Sequence, residues 1–418
     1  MDTEPTNFAP SSGRRWLMIA LVFAATVVLY MDRQALAVVA PVLGNQFHMT
    51  NVAYSRVVFA FMLAYTVSNA FSGAFLDRVG TRVGYGLAMA WWAVAALLHA
   101  LANSAAGLGM CRFLLGIGEA ANWPAGVKVV TEWFPVRERA LASGIFNSGS
   151  AIGAVAGPPL AAWIVIRHGW RAAFLAVGGL AVIWLVAWVL LYRPPATANR
   201  RVSEAPRVSL VRLIRGRWVA LFTLSKIFSD PVWYFYVFWF PKYLSSARGF
   251  ALGDVAAFAW VPFAAADAGN LIGGLLSSIV LRSGVSPLKA RKICVFFFAT
   301  LMTSSIPAVL SHSVFVSIGL ISLATLGYTG ALANMLAMPG DVFPANAVGS
   351  IWGVASTGAG FGGMVFSLIT GWVVDRYSFT PVFVGFGLLP LVAASIVATL
   401  PNTSDFGIAP APVAETGP

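Results

Sequence analysis

Residues 132–178 read EWFPVRERALASGIFNSGSAIGAVAGPPLAAWIVIRHGWRAAFLAVG, and residues 341–387 read DVFPANAVGSIWGVASTGAGFGGMVFSLITGWVVDRYSFTPVFVGFG. A displacement of 209 positions lays the first on the second without a gap. Glu132 falls on Asp341, Phe134-Pro135 on Phe343-Pro344, Trp163 on Trp372 and Arg167 on Arg376. Gly144, Gly149 and Gly153 fall on Gly353, Gly358 and Gly362, Ser148 on Thr357, Phe174 on Phe383 and Gly178 on Gly387. Glycine-rich apolar helices align by chance; charged, tryptophan and Phe-Pro matches in one register do not. The displacement is half of the 418 residues, so the chain is duplicated, with about six helices of the same topology in each copy.

Around this repeat the chain is 59% hydrophobic and 10% charged, a balance that excludes an ordinary soluble domain. Apolar stretches recur from Trp16 to Leu400. A crossing takes roughly 20 residues, so twelve crossings leave no room for a sizeable soluble domain. The expected fold is an all-α membrane protein with twelve transmembrane helices in two pseudo-symmetric halves, 14–192 and 218–403. Tails 1–13 and 404–418 are polar or Pro/Ala-rich and are expected to be disordered. Residues 193–217 form a basic, Pro-containing linker. Its end, VSLVRLIRGRW (208–218), suits either an amphipathic helix on anionic lipid or a solvated connection.

The net charge of +12 raises the question of nucleic acid, and its placement answers it. In alternate loops, counted from a cytoplasmic N-terminus, 17 Lys and Arg fall on the inner side and 6 on the outer. That asymmetry places both termini in the cytoplasm of an inner-membrane, multi-pass protein and leaves no role for nucleic acid. The first apolar stretch is too long for a signal-peptide core and reads as a retained helix. Cys111 and Cys294 make no disulfide framework, and four scattered histidines make no metal cluster. No phosphate loop or catalytic constellation is present, so no cofactor, metal, ATP drive or enzyme activity is expected.

Ionisable residues interrupt the apolar spans. Asp32 and Arg33 lie within LVFAATVVLYMDRQALAVVAPVL (21–43), and Arg112 and Glu119 within GLGMCRFLLGIGEAANWPAGV (107–127). Asp230 and Asp267 do the same in the second half. A charge at bilayer depth costs about 3 kcal/mol on insertion scales unless it is paired or lines a wet cavity. Both signs at that depth suit the passage of a charged molecule; the alternative is ion pairing that fixes helix packing. Arg112 and Glu119 are seven apart, on one helix face two turns from each other. Asp32 and Arg33 point about 100° apart, so one is expected to face substrate and the other a neighbouring helix. A guanidinium offers a carboxylate parallel hydrogen bonds and stays charged. Arg33 is therefore expected to hold a substrate carboxylate, with Arg112 as its helper or as the partner of Glu119. Lys226 and Asp230 have i,i+4 spacing and precede Pro231, which points to a structural or gating role, with substrate binding as the alternative. Asp267 is open to two readings, a second proton site or a hydrogen bond to a neighbouring helix. Two such halves around charged midplane residues suit alternating access.

GAFLDRVGTRVG (73–84) resembles the G-x-x-x-D-R-x-G-R-R loop of the major facilitator superfamily, with Thr81 in place of one basic residue. The resemblance implies gating roles for Gly73, Asp77, Arg78, Gly80 and Arg82. The second-half counterpart, GLLSSIVLRSGVSPLKARK, keeps mainly its basic residues. Within that superfamily the chain is similar to the anion:cation symporter family. The stretches that carry this are YMDRQALAVVAP, CRFLLGIGEAANWPAGVKVVTEWFPVRERALASGIFNSGSAIG, DPVWYFYVFWFPKYLSSARGF, VPFAAADAGNLIGG and GDVFPANAVGSIWGVASTGAG. The third and fourth point to the hexuronate-transporter branch.

That likeness implies symport of a small organic anion with a proton across a lipid bilayer. Asp32 and Glu119 match its proton-coupling positions, and Tyr65 a substrate-contact position. The physics agrees: burial disfavours a charged carboxylate and a nearby guanidinium favours it. A substrate that diverts an arginine therefore favours protonation of the acid. Tyr30, Asn147, Ser150, Ser356 and Thr357 are candidates for substrate hydroxyls, with hydrogen bonding back into their own helices as the alternative. The aromatic run Trp233–Trp239 covers all helix faces, so some of its rings are expected to face lipid and others to form a lid or stack on a sugar ring, with a structural role for the majority. Another organic anion, a transporter-like ligand sensor and a drug exporter are the competing functions; the arginines disfavour a cationic cargo. A monomer is expected, since one chain holds both halves.

Overall fold

The computed structural model describes residues 12–134, 136–193, 215–343 and 345–401, and their regular structure is helical. The first half runs α1 (Ser12–Phe47), α2 (Asn51–Val79), α3 (Thr81–Leu98), α4 (Ala105–Glu119), α5 (Asn122–Trp133), α6 (Val136–His168) and α7 (Trp170–Leu191). The second runs α8 (Arg217–Arg248), α9 (Leu252–Phe258), α10 (Val261–Arg282), α11 (Pro287–Met302), α12 (Ser305–Leu310), α13 (Val314–Val342), α14 (Ala345–Arg376) and α15 (Thr380–Ala398). Among the described residues ten segments are long and apolar enough to cross a membrane. The consecutive pair α4–α5 and the 32-residue α8 complete twelve. These two are less apolar because they carry Arg112, Glu119 and Lys128, and Lys226, Asp230 and Lys242. The tails and most of the 193–217 linker lie outside the described residues.

Local chemistry sets the helix ends. Thr50 and Ser104 accept from the backbone N–H of Ala53 and Gly107, capping α2 and α4. Gly80 and Gly169 join consecutive helices at φ of 85° and 81°, a region that disfavours side chains.

The duplication recurs in the packing. α1 lies along α6 as α8 lies along α14; α2 meets α4 as α10 meets α13; α3 meets α7 as α11 meets α15. The repeated glycines make the first of these contacts possible. A Cβ at Gly153 would stand 2.4 Å from the Val27 carbonyl oxygen, and one at Gly362 would stand 2.3 Å from that of Ile227. Gly149 meets Phe23, and Gly358 meets Thr223, in the same way. Ile227 thus stands where Val27 stands, and Thr223 where Phe23 stands. The register between the first helices of the halves is 200, not the 209 that aligns 132–178 with 341–387. By this register Asp230 occupies the place of Tyr30, and Trp233 that of Arg33.

The repeated acids also keep one role. Glu132 accepts from Thr81 Oγ1 (2.5 Å) and from the Tyr192 hydroxyl (2.7 Å), while Asp341 pairs with Arg291 Nε at 3.4 Å. Each ties the end of its helix to a neighbour in its own half.

Candidate functional site

The four charges of the first half form two cross-helix pairs. Arg33 Nε donates to Glu119 Oε2 at 3.0 Å, and Arg112 Nη2 lies 3.6 Å from Asp32 Oδ1. Trp92 Nε1 donates to Asp32 Oδ2 at 3.1 Å. All four are buried, with Arg33 the most exposed at 5%. One of the two alternatives for Arg112 is corrected here: it partners Asp32 rather than Glu119, because each long arginine side chain reaches across to the other helix instead of along its own. Asp32 and Arg33 both pair with α4, and Asp32 also meets Trp92 of α3.

Arg33 is also the centre of an aromatic cage. Its guanidinium carbon lies 5.5 Å from the Tyr30 ring, 5.2 Å from Phe61 and 4.8 Å from Tyr65. Such contacts stabilise a desolvated guanidinium while leaving its edge free. Arg33 Nη2 and Glu119 Oε1 are buried and have no hydrogen-bond partner among the described residues. A buried donor left unmade is costly, so this edge is a site for an acceptor.

The second half supplies the facing wall. On α8, Lys226 Nζ pairs with Asp230 Oδ1 at 2.8 Å, and Ser229 Oγ donates to the same oxygen at 2.8 Å. The i,i+4 spacing thus forms the pair that the sequence allows. Trp233 stacks on Tyr328 of α13, with centroids 5.4 Å apart and planes at 10°. Trp233 also reaches the Tyr30 hydroxyl, and Tyr234 lies within electrostatic reach of Arg33, Tyr65 and Asp230. The α8 aromatics are buried or half-buried, so the expected lipid-facing rings are absent from 233–239. Neighbours surround α8: α1, α13, α14 and α15 all pack on it. Asp267, on α10, is half-buried and makes no ion pair among the described residues.

The other predicted substrate residues lie on α6 and α14. Asn147 is exposed on α6, and Ser150 Oγ donates to its carbonyl oxygen at 2.7 Å. On α14, Thr357 Oγ1 donates to Gly353 O at 3.0 Å, and Ser356 is exposed. The Ser150 and Thr357 hydroxyls are satisfied within their own helices.

At the 73–84 motif, Gly73 lies in α2, Gly80 makes the turn and Arg78 is exposed. Arg82 Nη2 donates to Val189 O at 3.0 Å, and Thr81, standing in for a basic residue, donates to Glu132. Lys128 Nζ donates to Leu76 O at 2.9 Å. The Asp77 side chain lies outside the described residues.

At the far end of α1 the two halves are tied together. Asp375, in the last turn of α14, accepts from Asn51 N and Nδ2 at 2.8 Å and from Val52 N at 2.7 Å. The Tyr54 hydroxyl donates to Phe238 O at 2.6 Å, and Lys242 Nζ lies 4.6 Å from the Tyr54 ring. The carboxylate caps the first turn of α2, where backbone N–H groups are otherwise unpaired. Trp92, Trp233, Tyr328 and this cap were not singled out as site residues from the sequence. Only their placement by packing distinguishes them from other aromatic and acidic residues.

Among the described residues no group of three His, Cys, Asp or Glu stands together as a metal site. A family model described as the Major Facilitator Superfamily matches residues 22–285. The hexuronate transporter of Escherichia coli K12 is 33% identical over 406 residues, covering 93% of this chain and 94% of that protein. The galacturonate transporter of Dickeya chrysanthemi is 36% identical over 308 residues, covering 69% and 89%. The crystal structure of a D-xylose–proton symporter superposes with a TM-score of 0.73 at 14% identity, covering 92% and 97%, a likeness of fold. With twelve spans, a duplicated architecture and paired charges at its centre, this multi-pass membrane transporter belongs to the Major Facilitator Superfamily.

Proposed function

We propose that the protein is a proton-coupled symporter that imports hexuronates or closely related sugar-acid anions. The observation that carries this is Arg33. It is buried, caged by Tyr30, Phe61 and Tyr65, held on one edge by Glu119 and unpaired at Nη2. A carboxylate that displaces Glu119 takes the Nε and Nη2 donors in a fork-to-fork arrangement, and the surrounding rings suit the C–H faces of a sugar. The names of the hexuronate and galacturonate transporters to which the chain is similar support this class of cargo.

Coupling follows from competition for one guanidinium. When the substrate carboxylate takes Arg33, Glu119 loses the partner that keeps it ionised and binds a proton instead. Each binding event favours the other by the same free energy. Asp32, held by Arg112 and Trp92, is the second carboxylate on this route.

The halves 14–192 and 218–403 are the bodies that rock, within one chain acting as a monomer. The excess of basic residues on one side supports an inner-membrane protein with cytoplasmic termini. In that orientation the Asp375 closure lies on the outer face, so the described state is closed outside.

The test is uptake of labelled glucuronate and galacturonate into proteoliposomes with and without an inward proton gradient. Gradient-driven accumulation is expected. Flux that only equilibrates removes the coupling roles of Asp32 and Glu119, and no flux of either sugar acid overturns the substrate class.

A further inference from the structure

We infer that the Lys226–Asp230 pair forms the second pole of the substrate site and confines it to sugar acids with one carboxylate. This rests on the sugar-acid reading above and adds to it a basis for selectivity between monoacids and diacids.

Position comes first. The glycine contacts set the register of α8 against α1 at 200, which puts Asp230 in the place of Tyr30. Tyr30 is one of the rings around Arg33, so Asp230 faces the same central space from the opposite half, at nearly the same depth. Tyr234 spans the interval, within electrostatic reach of Arg33 on one side and Asp230 on the other. Tyr328, stacked on Trp233, faces the same carboxylate and is also within reach of Tyr30.

Charge comes second. Lys226 is 2% exposed and Asp230 8%, a cation and an anion that the Arg33–Glu119 mechanism does not use. An unpaired ammonium opposite Arg33 would attract a second carboxylate. Asp230 cancels it at 2.8 Å. The pair is intrahelical, four residues apart, with Ser229 holding the same Oδ1 atom. By contrast, the Arg33–Glu119 and Arg112–Asp32 pairs join different helices and separate if α1 moves on α4. The neutralisation of Lys226 therefore persists when α8 moves as a unit, while that of Arg33 is exchangeable.

Hydrogen-bonding capacity comes third. A neutralised pair beside a tyrosine hydroxyl presents donors and acceptors without net charge, which matches the hydroxyl-bearing end of a uronate. A hexarate places a second carboxylate there. That group meets a pair already neutral, with no free cation to balance it, so its charge is buried uncompensated, an arrangement that rejects the competitor. The other polar residues on this side do not relieve it. Ser229 is committed to Asp230, Tyr328 faces the same carboxylate, and the rest of the crevice behind the pair is apolar, walled by Val295, Ala299, Met302 and Met335.

The experiment is competition against labelled galacturonate uptake in proteoliposomes, with unlabelled glucuronate and unlabelled glucarate as the competitors. The readout is the ratio of their half-inhibiting concentrations, which does not depend on how much protein is active. The wild-type protein is expected to prefer glucuronate. Asp230→Asn frees the ammonium and is expected to shift the ratio about tenfold toward glucarate. Lys226→Met leaves Asp230 unopposed and is expected to shift it the other way. The opposite signs separate a charge effect from a loss of structure, and either variant that folds is decisive. If wild type takes up a uronate and the ratio is the same in the variants, this inference alone falls. If wild type takes up no uronate, the substrate reading falls and this inference falls with it.

Discussion

Arg33 and Glu119 meet at 3.0 Å through Nε and Oε2, while Nη2 of the arginine and Oε1 of the glutamate have no partner among the described residues. A buried ion pair satisfied on all sides fixes packing. One left open on both members is suited to exchange one partner for another. Asp32 Oδ1 and Arg112 Nε and Nη1 are likewise without hydrogen-bond partners among the described residues, so both pairs have capacity for exchange.

Glu119→Gln tests the exchange. The amide keeps the shape and an acceptor for Arg33 but carries no titrating proton. Gradient-driven accumulation is expected to fall tenfold or more, with counterflow exchange of the same uronate retained. Proteoliposome uptake and counterflow, measured side by side, give the answer; intact accumulation in the variant would remove Glu119 from the coupling step.

Arg33→Lys tests recognition. The charge remains, but the planar fork that offers two parallel hydrogen bonds is lost. Apparent uronate affinity is expected to weaken about tenfold, equivalent to about 1.4 kcal/mol. Binding by tryptophan fluorescence or scintillation proximity reads this directly. An unchanged Kd would mean that the carboxylate sits elsewhere.

How much of this was written in the sequence depends on the residue. Asp32, Arg33, Arg112 and Glu119 stood out because charge inside an apolar span is expensive. Their partners were not legible, because spacing along α4 says nothing of the reach of an arginine across to α1. The repeat was visible at Glu132/Asp341 and through the glycines. It was hidden in α1 and α8, where the register changes from 209 to 200 and no charged match survives. Asp230 for Tyr30 and Trp233 for Arg33 are equivalent by packing alone. For Ser150 and Thr357, the alternative of hydrogen bonding back into their own helices is the one observed, since a small hydroxyl on a helix reaches its own carbonyls readily. Asp375 gave no signal, since an acid at a helix end is ordinary until the N-terminus of another helix stands over it.

The glycine repeat carries a paired stability prediction. A methyl group at Gly153 or Gly362 meets a backbone carbonyl oxygen that cannot move aside, at 2.4 and 2.3 Å. Gly144 and Gly353, nine residues earlier in each copy, have open space at the same atom. Gly153→Ala and Gly362→Ala are each expected to cost about 1–3 kcal/mol by overpacking. Gly144→Ala and Gly353→Ala are expected to be neutral or slightly stabilising, as glycine is a poor helix former. Thermal unfolding in detergent compares the four. Equal Tm values across them would contradict the close approach of α1 to α6 and of α8 to α14.

Asp375→Ala tests the far-end closure. The carboxylate is the acceptor for three N–H groups at the start of α2, and α14 brings it there from the other half. Hydrogen bonds to a charged group contribute about 1.5–3 kcal/mol each, so losing them tips a two-state equilibrium by tenfold or more toward the state open at that end. Ser55 reports on it, being fully buried with Gly371 packed on it. In a background lacking Cys111 and Cys294, a Ser55→Cys substitution is expected to react with a membrane-impermeant thiol reagent about tenfold faster once Asp375 is alanine. Asp375→Asn, which keeps an acceptor without the charge, is expected to fall between. A labelling rate indifferent to position 375 would mean that the apolar contacts of α2 with α14 hold that end closed without the cap.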